Sequence, residues 1–499
     1  MAPLRVAFLT GLLVTLLLVP GQPGRLTGTD AIGVFEITRS LREEGSLQVS
    51  SHLHAYVGRD GRRYSQFAVG QAVLALPLYE IGRLADRLLP ETTAQVLAGP
   101  PVSTRSFVAG RRPLDGPQLV YGGSLEILAV SLYAPVATGV LAALFLVTAR
   151  RLGASLGASV AASLLLGTCT YLGALSNHFL RHTTEAVLIL GAFGAFFAWR
   201  GGGRRRDLLL GSALASAILL VRVPAAIAGV PLAVYLGACA VERRLWTLPR
   251  REQLRDAVAV LAPFLVAVAV HLALNYLRWG FWLESPMTAE RARIGLPRAD
   301  ALEGYLVSPG ASLFLYTPLL VLLPVTLAAA WRRVRRETLF VAGAALTFLL
   351  FYAGYFFWHG LWSAPGPRYL APAIPLLMLP LALWLDEAGR SGRALVALLA
   401  AAGFLIQQAL ITTDFERLAF QEGYTRYQPV EAFLFEHSPA LDSVRAFLGG
   451  SAWDAWLLKL AHGWEGVAPH PGLAVALLGA WLAATGVAAA LLLRRLAMR

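Results

Sequence analysis

Arginine residues occur in tight clusters between long apolar stretches, and this alternation constrains the fold more than any other feature. An apolar stretch of about 20 residues spans a bilayer as a helix, and short loops rich in arginine stay on the cytoplasmic side. The clusters therefore predict the direction of the spans between them. Five clusters carry the pattern: Arg150-Arg151; Arg200 with Arg204-Arg205-Arg206; Arg243-Arg244 with Arg250-Arg251; Arg332-Arg333 with Arg335-Arg336; and Arg494-Arg495.

The composition of the chain agrees with a membrane protein. Hydrophobic residues make up 57% and charged residues 15% of its 499 residues, and a soluble domain with this balance would expose too much apolar surface. Much of the net charge of +13 lies in the clusters, and no basic face with interleaved aromatic residues occurs. We therefore predict no nucleic-acid partner. The two cysteines, Cys169 and Cys239, lie within apolar stretches, which disfavours a disulfide or a cysteine-ligated metal.

The apolar stretches predict an all-α polytopic membrane protein with about 12 transmembrane helices. The first stretch lacks a small-residue cleavage site after it, so we interpret it as an uncleaved span. An inside N-terminus places all five arginine clusters and the C-terminus in the cytoplasm. The predicted spans are residues 4–20, 124–149, 155–176, 180–199, 207–222, 224–241, 254–276, 311–330, 337–357, 368–386, 394–412 and 472–493.

One further apolar stretch, residues 66–86, decides the direction of every later span. If it crossed the membrane, the arginine clusters would lie outside. It is interrupted by Pro77 and carries polar side chains, so we predict that it lies on the outer membrane surface or forms a buried re-entrant segment. We expect substrates to bind at the outer face, because functional residues concentrate in loops held by a rigid scaffold. The outer loops are residues 21–123, 277–310, 358–367 and 413–471.

Two outer regions contain the first candidate functional residues. Asp30, just past the first span, begins a pattern typical of an amphipathic helix; the alternative is that Thr29 or Asp30 is simply its N-cap. The turn between the third and fourth spans carries His178, Arg181 and His182. Ionisable residues at membrane depth usually face a cavity or a partner, although arginine and histidine also snorkel to the interface without binding anything.

Two further arginines lie at the outer ends of predicted spans. Arg222 interrupts an apolar stretch just before Pro224, where it would either bind an anion or end the helix. Arg368 and Tyr369 open the tenth span, beside Trp358 in the preceding loop. Tryptophan at that depth is typical of the aromatic belt at the membrane interface, so we assign Trp358 no function from the sequence.

Motifs of several common enzyme classes are missing from the sequence. It contains no P-loop, no G-x-S-x-G nucleophile elbow, no H-E-x-x-H zinc motif and no dinucleotide-binding fingerprint. An ATP-driven cytosolic machine is therefore unsupported.

Four stretches resemble the GT-C superfamily, the polytopic glycosyltransferases that use polyprenyl-phosphate sugars, such as the dolichyl-phosphate-mannose-dependent mannosyltransferases. Residues 29–47 are similar to the superfamily's acidic residue followed by a surface helix, and residues 61–83 to its second surface helix. Residues 308–324 and 366–383 are similar to a bacterial subgroup. The resemblance implies a catalytic module over residues 1–390, with two interfacial helices in the first periplasmic loop, 21–123. Residues 391–499 would form a C-terminal membrane region with an outer segment at 413–471.

The resemblance also implies a function. The chain would move a sugar, a hexose or a pentose, from a polyprenyl-phosphate carrier to a glycan, lipid or protein acceptor on the periplasmic side of a bacterial inner membrane. Asp30 would be the general base of an inverting transfer, taking the proton of the acceptor hydroxyl. The phosphate would contact arginine forks and neighbouring polar side chains. The residues predicted for that contact are His178, Arg181, His182, Arg222, Arg368 and Tyr369.

The sequence departs from the GT-C pattern at one position. Many members carry two adjacent acidic residues in the first loop, whereas here Ala31 follows Asp30, which makes Glu36 the second acidic candidate. Several members use a divalent metal, but beyond Asp30, His178 and His182 the sequence offers no ligand cluster, so the metal requirement stays open.

Two other classes of function remain as alternatives. A flippase or carrier for a lipid-linked saccharide would need polar residues through the depth of several spans, whereas here they gather near the outer ends. A non-catalytic envelope-assembly subunit of the same fold would explain the missing second acid.

Overall fold

The computed structural model describes residues 2–50, 55–99, 122–283, 285–286, 294–360, 364–415, 418, 429–451, 453–463 and 467–498. Parts of all four predicted outer loops lie outside the described residues.

Helices form most of the described chain, with one short antiparallel pair of strands, β1 (Ala55–Val57) and β2 (Arg63–Ser65), in the first outer loop. The helices are α1 (Ala2–Leu18), α2 (Thr29–Glu43), α3 (Gly70–Leu88), α4 (Glu91–Ala98), α5 (Leu125–Ser131), α6 (Tyr133–Arg151), α7 (Leu156–Thr168), α8 (Tyr171–Leu175), α9 (His182–Gly202), α10 (Arg205–Val221), α11 (Gly229–Glu242), α12 (Arg250–Trp279), α13 (Ala299–Val307), α14 (Leu313–Tyr316), α15 (Leu323–Arg333), α16 (Arg335–Ala353), α17 (Ile374–Trp384), α18 (Arg390–Thr412), α19 (Pro439–Leu448), α20 (Trp456–His462) and α21 (Pro471–Ala497). Short 3-10 turns include Val223–Ala228, Pro318–Leu322, Arg368–Ala373 and Pro429–Phe433.

Eight helical stretches in the described ranges are long and apolar enough to cross a membrane. Each coincides with a predicted span: Leu4–Gly21, Leu125–Arg151, His182–Gly202, Val223–Glu242, Arg250–Trp279, Arg335–Ala353, Arg390–Thr412 and Pro471–Ala497. The other four predicted spans are shorter or broken. Residues 311–330, for example, divide around Pro318, which has no N–H to continue a helix. The total of 12 spans stays a prediction.

Helix α9 lies at the centre of the helical assembly, with 78% of its apolar window buried. It packs against α6, α10 and the turn Arg368–Ala373, and its Phe193 stacks on Phe340 of α16 with ring centroids 4.5 Å apart. The helices Arg250–Trp279 and Pro471–Ala497 are only 11% buried, so their apolar surfaces are available to lipid.

Three of the five arginine clusters meet at one end of this assembly. Arg200, at the end of α9, forms ion pairs with Glu242 of α11 and Glu337 of α16, and Glu242 also pairs with Arg336. Arg243 donates a hydrogen bond to the carbonyl of Trp199. Since these residues come from separate loops, the clusters share one face, as short cytoplasmic loops should. Which side of the bilayer this face adjoins stays a prediction.

The stretch 66–86 forms most of α3, a 19-residue helix that is not among the eight candidate spans. Its buried side packs against α2 and α5, and Gly82 allows close approach, because a Cβ there would lie 2.5 Å from the Cα of Glu126. Its other side exposes apolar residues, including Leu74, Ile81 and Leu84. This two-sided pattern agrees with a helix on a membrane surface, and that location stays a prediction.

The predicted topology can be tested with one substitution at each end of the molecule. In a chain with Cys169 and Cys239 replaced by alanine, we expect Arg62→Cys to react with a membrane-impermeant thiol reagent in intact spheroplasts. We expect Arg206→Cys to react only after permeabilisation. The two arginine side chains are 62% and 73% exposed, so both sites are accessible from their own side. The reverse labelling pattern would show that the predicted topology is wrong and that the two ends lie on the opposite sides of the membrane.

Candidate functional site

Four segments that carry predicted site residues meet at the end of the assembly opposite the arginine clusters. They are the first turn of α2, the turn that precedes α9, the end of α10 and the 3-10 turn at 368–373. Helix α9 carries His182 at this end and Arg200 at the other, and α16 carries Tyr352 at this end and Glu337 at the other, so the same two helices connect both ends. The site therefore lies at the predicted outer face.

Asp30 pairs with Arg181 across 151 residues of sequence. Its Oδ2 lies 3.3 Å from the Nη2 of Arg181, whose guanidinium also packs over the ring of Phe67 at 4.2 Å. The Asp30 side chain keeps 18% of its surface exposed, so its carboxylate remains accessible beside this ion pair.

The structure corrects the predicted N-cap of α2. The cap is Gly28 rather than Thr29 or Asp30, because the helix begins at Thr29 after a backbone φ of +78° that glycine adopts readily. Asp30 lies inside the first turn, where the helix dipole favours a carboxylate.

Arg222 forms a second, more deeply buried ion pair. Its Nη1 lies 3.4 Å from Oε2 of Glu185, whose side chain is fully buried, and donates a hydrogen bond of 3.1 Å to the hydroxyl of Tyr352. The guanidinium also faces the rings of Tyr352 and Tyr369, at 5.5 Å and 5.1 Å from their centroids. The Arg222 side chain thus has charge, hydrogen-bond and ring partners within the protein.

Arg368 is placed by an unusual backbone. Gly366 has a φ of +94° and Pro367 follows it, so the chain turns sharply into the 3-10 segment. The Arg368 Nη2 donates a hydrogen bond of 3.0 Å to the Tyr369 hydroxyl, and Tyr369 stacks on Tyr352 with centroids 5.0 Å apart. These contacts fix the guanidinium beside the two ion pairs.

Several polar atoms of this cluster are buried without a hydrogen-bond partner in the described part of the chain. They are the Nε of Arg181, both ring nitrogens of His182, and the Nε and Nη1 of Arg368. Leaving such groups unsatisfied costs about 1–3 kcal/mol each. Among the described residues, three guanidinium groups face two carboxylates here, Asp30 and Glu185, so this part of the site is net positive. We name these seven residues, Asp30, Arg181, His182, Glu185, Arg222, Arg368 and Tyr369, the outer cluster.

Two predicted site residues form hydrogen bonds elsewhere. The Nδ1 of His178 lies 2.7 Å from the hydroxyl of Thr27, and burial followed by the charge of Arg368 lowers the pKa of His178 to about 3. Glu36 accepts hydrogen bonds from Arg39 and Ser50 one and a half turns along α2. These hydrogen-bond partners all lie outside the outer cluster, and the predicted roles of both residues stay predictions.

The structure also adds residues that the sequence did not indicate. Tyr352 contacts Arg222 and Tyr369 from within an apolar span, where nothing in the local pattern distinguishes it from a packing residue. Trp358 is fully buried rather than part of an interfacial belt. In the described residues, no group of three or more histidine, cysteine, aspartate or glutamate side chains is arranged to hold a metal ion.

A buried ion-pair network ties the C-terminal outer segment to the loop that precedes Asp30. The Nη2 of Arg25 lies 2.9 Å from Oδ2 of Asp414 and 2.8 Å from Oδ2 of Asp454, which also pairs with Lys459. The backbone N–H of Trp456 donates to the carbonyl of Gln22 at 2.7 Å. Burial alone would raise the pKa of Asp454, but Arg25 and Lys459 together hold it below its usual value. We call this network the outer clamp.

The fold and the outer cluster together define a polytopic helical membrane protein with a buried, net-positive polar site at one end. No family model matches the chain. No curated protein matches it either.

Among solved structures, the chain is similar to ArnT from Cupriavidus metallidurans bound to undecaprenyl phosphate, with 14% identity over 90% of this chain and 77% of that one, at a TM-score of 0.49. It is similar to the oligosaccharyltransferase AglB from Archaeoglobus fulgidus, in complex with an inhibitory peptide and a dolichol-phosphate, with 13% identity over 86% and 58% and a TM-score of 0.43. It is also similar to the arabinosyltransferase EmbB from Mycobacterium smegmatis, with 15% identity over 96% and 40% and a TM-score of 0.43.

These three proteins are GT-C membrane glycosyltransferases, the superfamily that the sequence resembles. The chain spans three quarters of ArnT but little more than half of AglB and 40% of EmbB. At these identities and TM-scores, the likeness says nothing about substrates or site residues.

The outer clamp leads to a prediction about stability. Asp454→Asn removes the carboxylate that pairs with Lys459 and one of the two aspartates that pair with Arg25, and breaking a buried pair in this way costs about 3–5 kcal/mol. We expect a clearly lower thermal unfolding midpoint in detergent at neutral pH. Asp300→Asn is the matched control, because its pair with Arg298 is 38% exposed on the aspartate side and such pairs contribute about 0–1 kcal/mol. Equal midpoints for the two variants would contradict the prediction.

Proposed function

We propose that this protein is a membrane glycosyltransferase that moves a sugar from a polyprenyl-phosphate carrier to an acceptor at the periplasmic face of a bacterial inner membrane. The observation that carries the proposal is the outer cluster: a buried, net-positive site with unused N–H donors directly beside an accessible carboxylate. A lipid phosphate supplies the missing negative charge and acceptor atoms. The resemblance of residues 29–47 and 61–83 to the GT-C pattern supports the same reading.

Arg181 and Arg368 would bind the phosphate of the donor. Arginine N–H groups match phosphate oxygens in geometry and charge, and Arg368 has two nitrogens, Nε and Nη1, that lack partners in the described residues. His182 would contribute a further hydrogen bond from its ring. When the sugar–phosphate bond breaks, the phosphate gains negative charge, and donors already fixed around it stabilise that charge without reorganising.

Asp30 would act as the general base. As the acceptor oxygen forms its bond to the anomeric carbon, the bond between that carbon and the phosphate oxygen breaks, and the acceptor proton moves to Asp30. The electron pair of the broken bond leaves with the lipid phosphate. Arg181 orients the Asp30 carboxylate through the 3.3 Å contact. Attack on the face opposite the phosphate inverts the configuration of the sugar.

Arg222 would support the site rather than contact the phosphate. Glu185 neutralises its charge, and the stacked pair of Tyr352 and Tyr369 lies against its guanidinium. Because Tyr369 also accepts a hydrogen bond from Arg368, Arg222 fixes the position of Arg368 through the ring between them.

Replacement of Asp30 tests whether its carboxylate is needed for transfer without changing the fold. We expect Asp30→Asn to lower the transfer rate by at least about 100-fold, the usual minimum for loss of a general base, while the protein stays in the membrane and still binds undecaprenyl phosphate. The measurement is a mass profile of envelope glycans and glycolipids from cells with matched protein levels, where one sugar mass should disappear.

Glu36→Gln serves as the comparison variant for the same measurement. If Glu36→Gln rather than Asp30→Asn removes the sugar, the base has been assigned to the wrong carboxylate. If neither changes the profile, a carrier or a non-catalytic assembly subunit becomes the better explanation.

Replacement of Arg368 tests the phosphate contact. Arg368→Lys keeps the charge but loses the fork, and a hydrogen bond to a charged group contributes about 1.5–3 kcal/mol. We therefore expect the KM for the lipid-phosphate donor to rise by about 10- to 100-fold. Arg39→Lys is the control, because Arg39 is 42% exposed on α2 and pairs with Glu36 away from the outer cluster. An unchanged KM in Arg368→Lys would remove Arg368 from the donor site.

A further inference from the structure

Two consecutive buried side chains beside the outer cluster have polar atoms that the proposed phosphate contact does not use. Trp358 is 0% exposed and His359 is 1% exposed. The indole Nε1 of Trp358 and the Nδ1 of His359 have no hydrogen-bond partner in the part of the chain that the structure describes. A buried indole N–H usually finds an acceptor. We call these two side chains, Trp358 and His359, the wall; its hydrogen bonds are incomplete without a ligand or an ordered water.

The wall is held rigidly by its neighbours. The Tyr305 hydroxyl donates a hydrogen bond of 2.7 Å to the Trp358 carbonyl, and the Tyr305 ring contacts the indole edge-on at 5.4 Å. Gly304 leaves space for the indole, since a Cβ there would lie 2.0 Å from the ring. Phe433, from the C-terminal outer segment, packs on the other side of Trp358 at 6.1 Å. The tryptophan is therefore fixed in one position.

The same wall continues into the outer cluster. Gly360, which follows directly, has a φ of +63°, and a Cβ at this position would lie 2.9 Å from the Nε of Arg368 and 3.1 Å from the Tyr369 ring. Glycine thus allows the backbone to approach the Nε of Arg368, one of the two nitrogens of this side chain that lack a partner in the described residues. Residues 358–360 therefore lie directly against the Arg368 guanidinium.

We propose that Trp358 and His359 form the subsite for the sugar of the donor, and that this sugar carries hydroxyl groups but no protonated amine. The proposal rests on the proposed function, because it takes the donor phosphate to lie against Arg181 and Arg368. It adds the recognition of the group that is transferred.

The chemistry of the wall selects hydroxyl groups. An indole N–H can only donate, whereas a neutral imidazole nitrogen either donates or accepts according to its tautomer. Burial followed by the charge of Arg368 lowers the pKa of His359 to about 4, so its ring is neutral at physiological pH. A sugar hydroxyl both donates and accepts, and thus suits both atoms.

The charge of the site disfavours an amino sugar. Both carboxylates of the outer cluster already pair with arginines, and the donor phosphate would pair with Arg368, so an ammonium group would have no carboxylate of the outer cluster left to pair with. Burying an ammonium group without a counter-charge weakens binding.

The test compares binding of lipid phosphates with and without a sugar by the purified full-length protein in lipid nanodiscs. The probes are undecaprenyl phosphate alone and undecaprenyl phosphates that carry glucose, galactose, mannose, arabinose or glucosamine. For the wild type, we expect at least one of the four uncharged sugars to lower the Kd by about tenfold relative to the bare lipid phosphate, which corresponds to one net hydrogen bond. The glucosamine lipid should show no such gain.

Trp358→Phe keeps the packing against Tyr305 and Phe433 but removes the N–H donor. We expect this variant to lose the gain from the sugar and to bind the bare lipid phosphate with a Kd within about twofold of the wild type. His359→Leu should behave in the same way, whereas His359→Asn should keep part of the gain, because its amide reaches the position of Nδ1 with a hydrogen-bonding group. Trp246→Phe, the same change at a 62% exposed tryptophan of the opposite face, is the control. Unchanged thermal midpoints show that the variants are folded.

Three outcomes would overturn the subsite alone: no sugar lowers the Kd of the wild type, the glucosamine lipid gains most, or Trp358→Phe weakens both kinds of probe equally. A different outcome, in which the wild type fails to bind undecaprenyl phosphate itself, would overturn the proposed function and the subsite with it.

Discussion

A charge held at membrane depth must be paired, because the surrounding hydrocarbon cannot solvate it, and the outer site is organised around this constraint. The Glu185–Arg222 pair satisfies it completely, with a fully buried carboxylate, a tyrosine hydroxyl and two aromatic rings around one guanidinium. Arg181 and Arg368 satisfy it only in part: each has a protein partner, yet Arg181 keeps one buried nitrogen and Arg368 keeps two for which the described chain provides no partner. The contrast separates a permanently neutralised anchor from two cations that remain available to an anion. The same contrast favours an anionic ligand, such as the proposed donor phosphate, over a neutral one.

Aromatic rings connect these charges into a single unit. Tyr369 stacks on Tyr352, faces Arg222 and accepts a hydrogen bond from Arg368. A shift of any one of these side chains would therefore displace the others. Stacked rings have few rotatable bonds and pack at fixed distances, which makes them a stiffer support than long polar side chains. A site that must hold donors in place before charge develops benefits from this stiffness. Trp358, held by Tyr305 and Phe433, extends the same construction toward the outer loops.

The sequence predicts the parts of this arrangement that depend on simple periodic patterns. Apolar stretches separated by arginines place eight spans correctly, and ionisable residues at span ends bring Asp30, Arg181 and Arg368 to one region. It does not predict Tyr352 or Trp358, because each lies in an apolar, aromatic surrounding where a packing role and a site role look identical. The outer clamp cannot be predicted from the sequence either, since Arg25 and Asp454 are 429 residues apart and neither forms a local motif. The N-cap of α2 was predicted wrongly because a glycine with positive φ competes with side-chain caps.

The outer clamp has a consequence for how the protein is made. Asp30 is synthesised long before Asp414, Asp454 and Trp456, yet these three residues hold the loop that precedes it. The contacts cross the division predicted at residue 390, so the N-terminal part cannot reach its final form by itself. Until residues 414–454 have been made, Arg25 has neither of its aspartates and the start of α2 lacks their support. A chain released before residue 414 would thus carry every residue of the outer cluster without the outer clamp that holds the loop before Asp30.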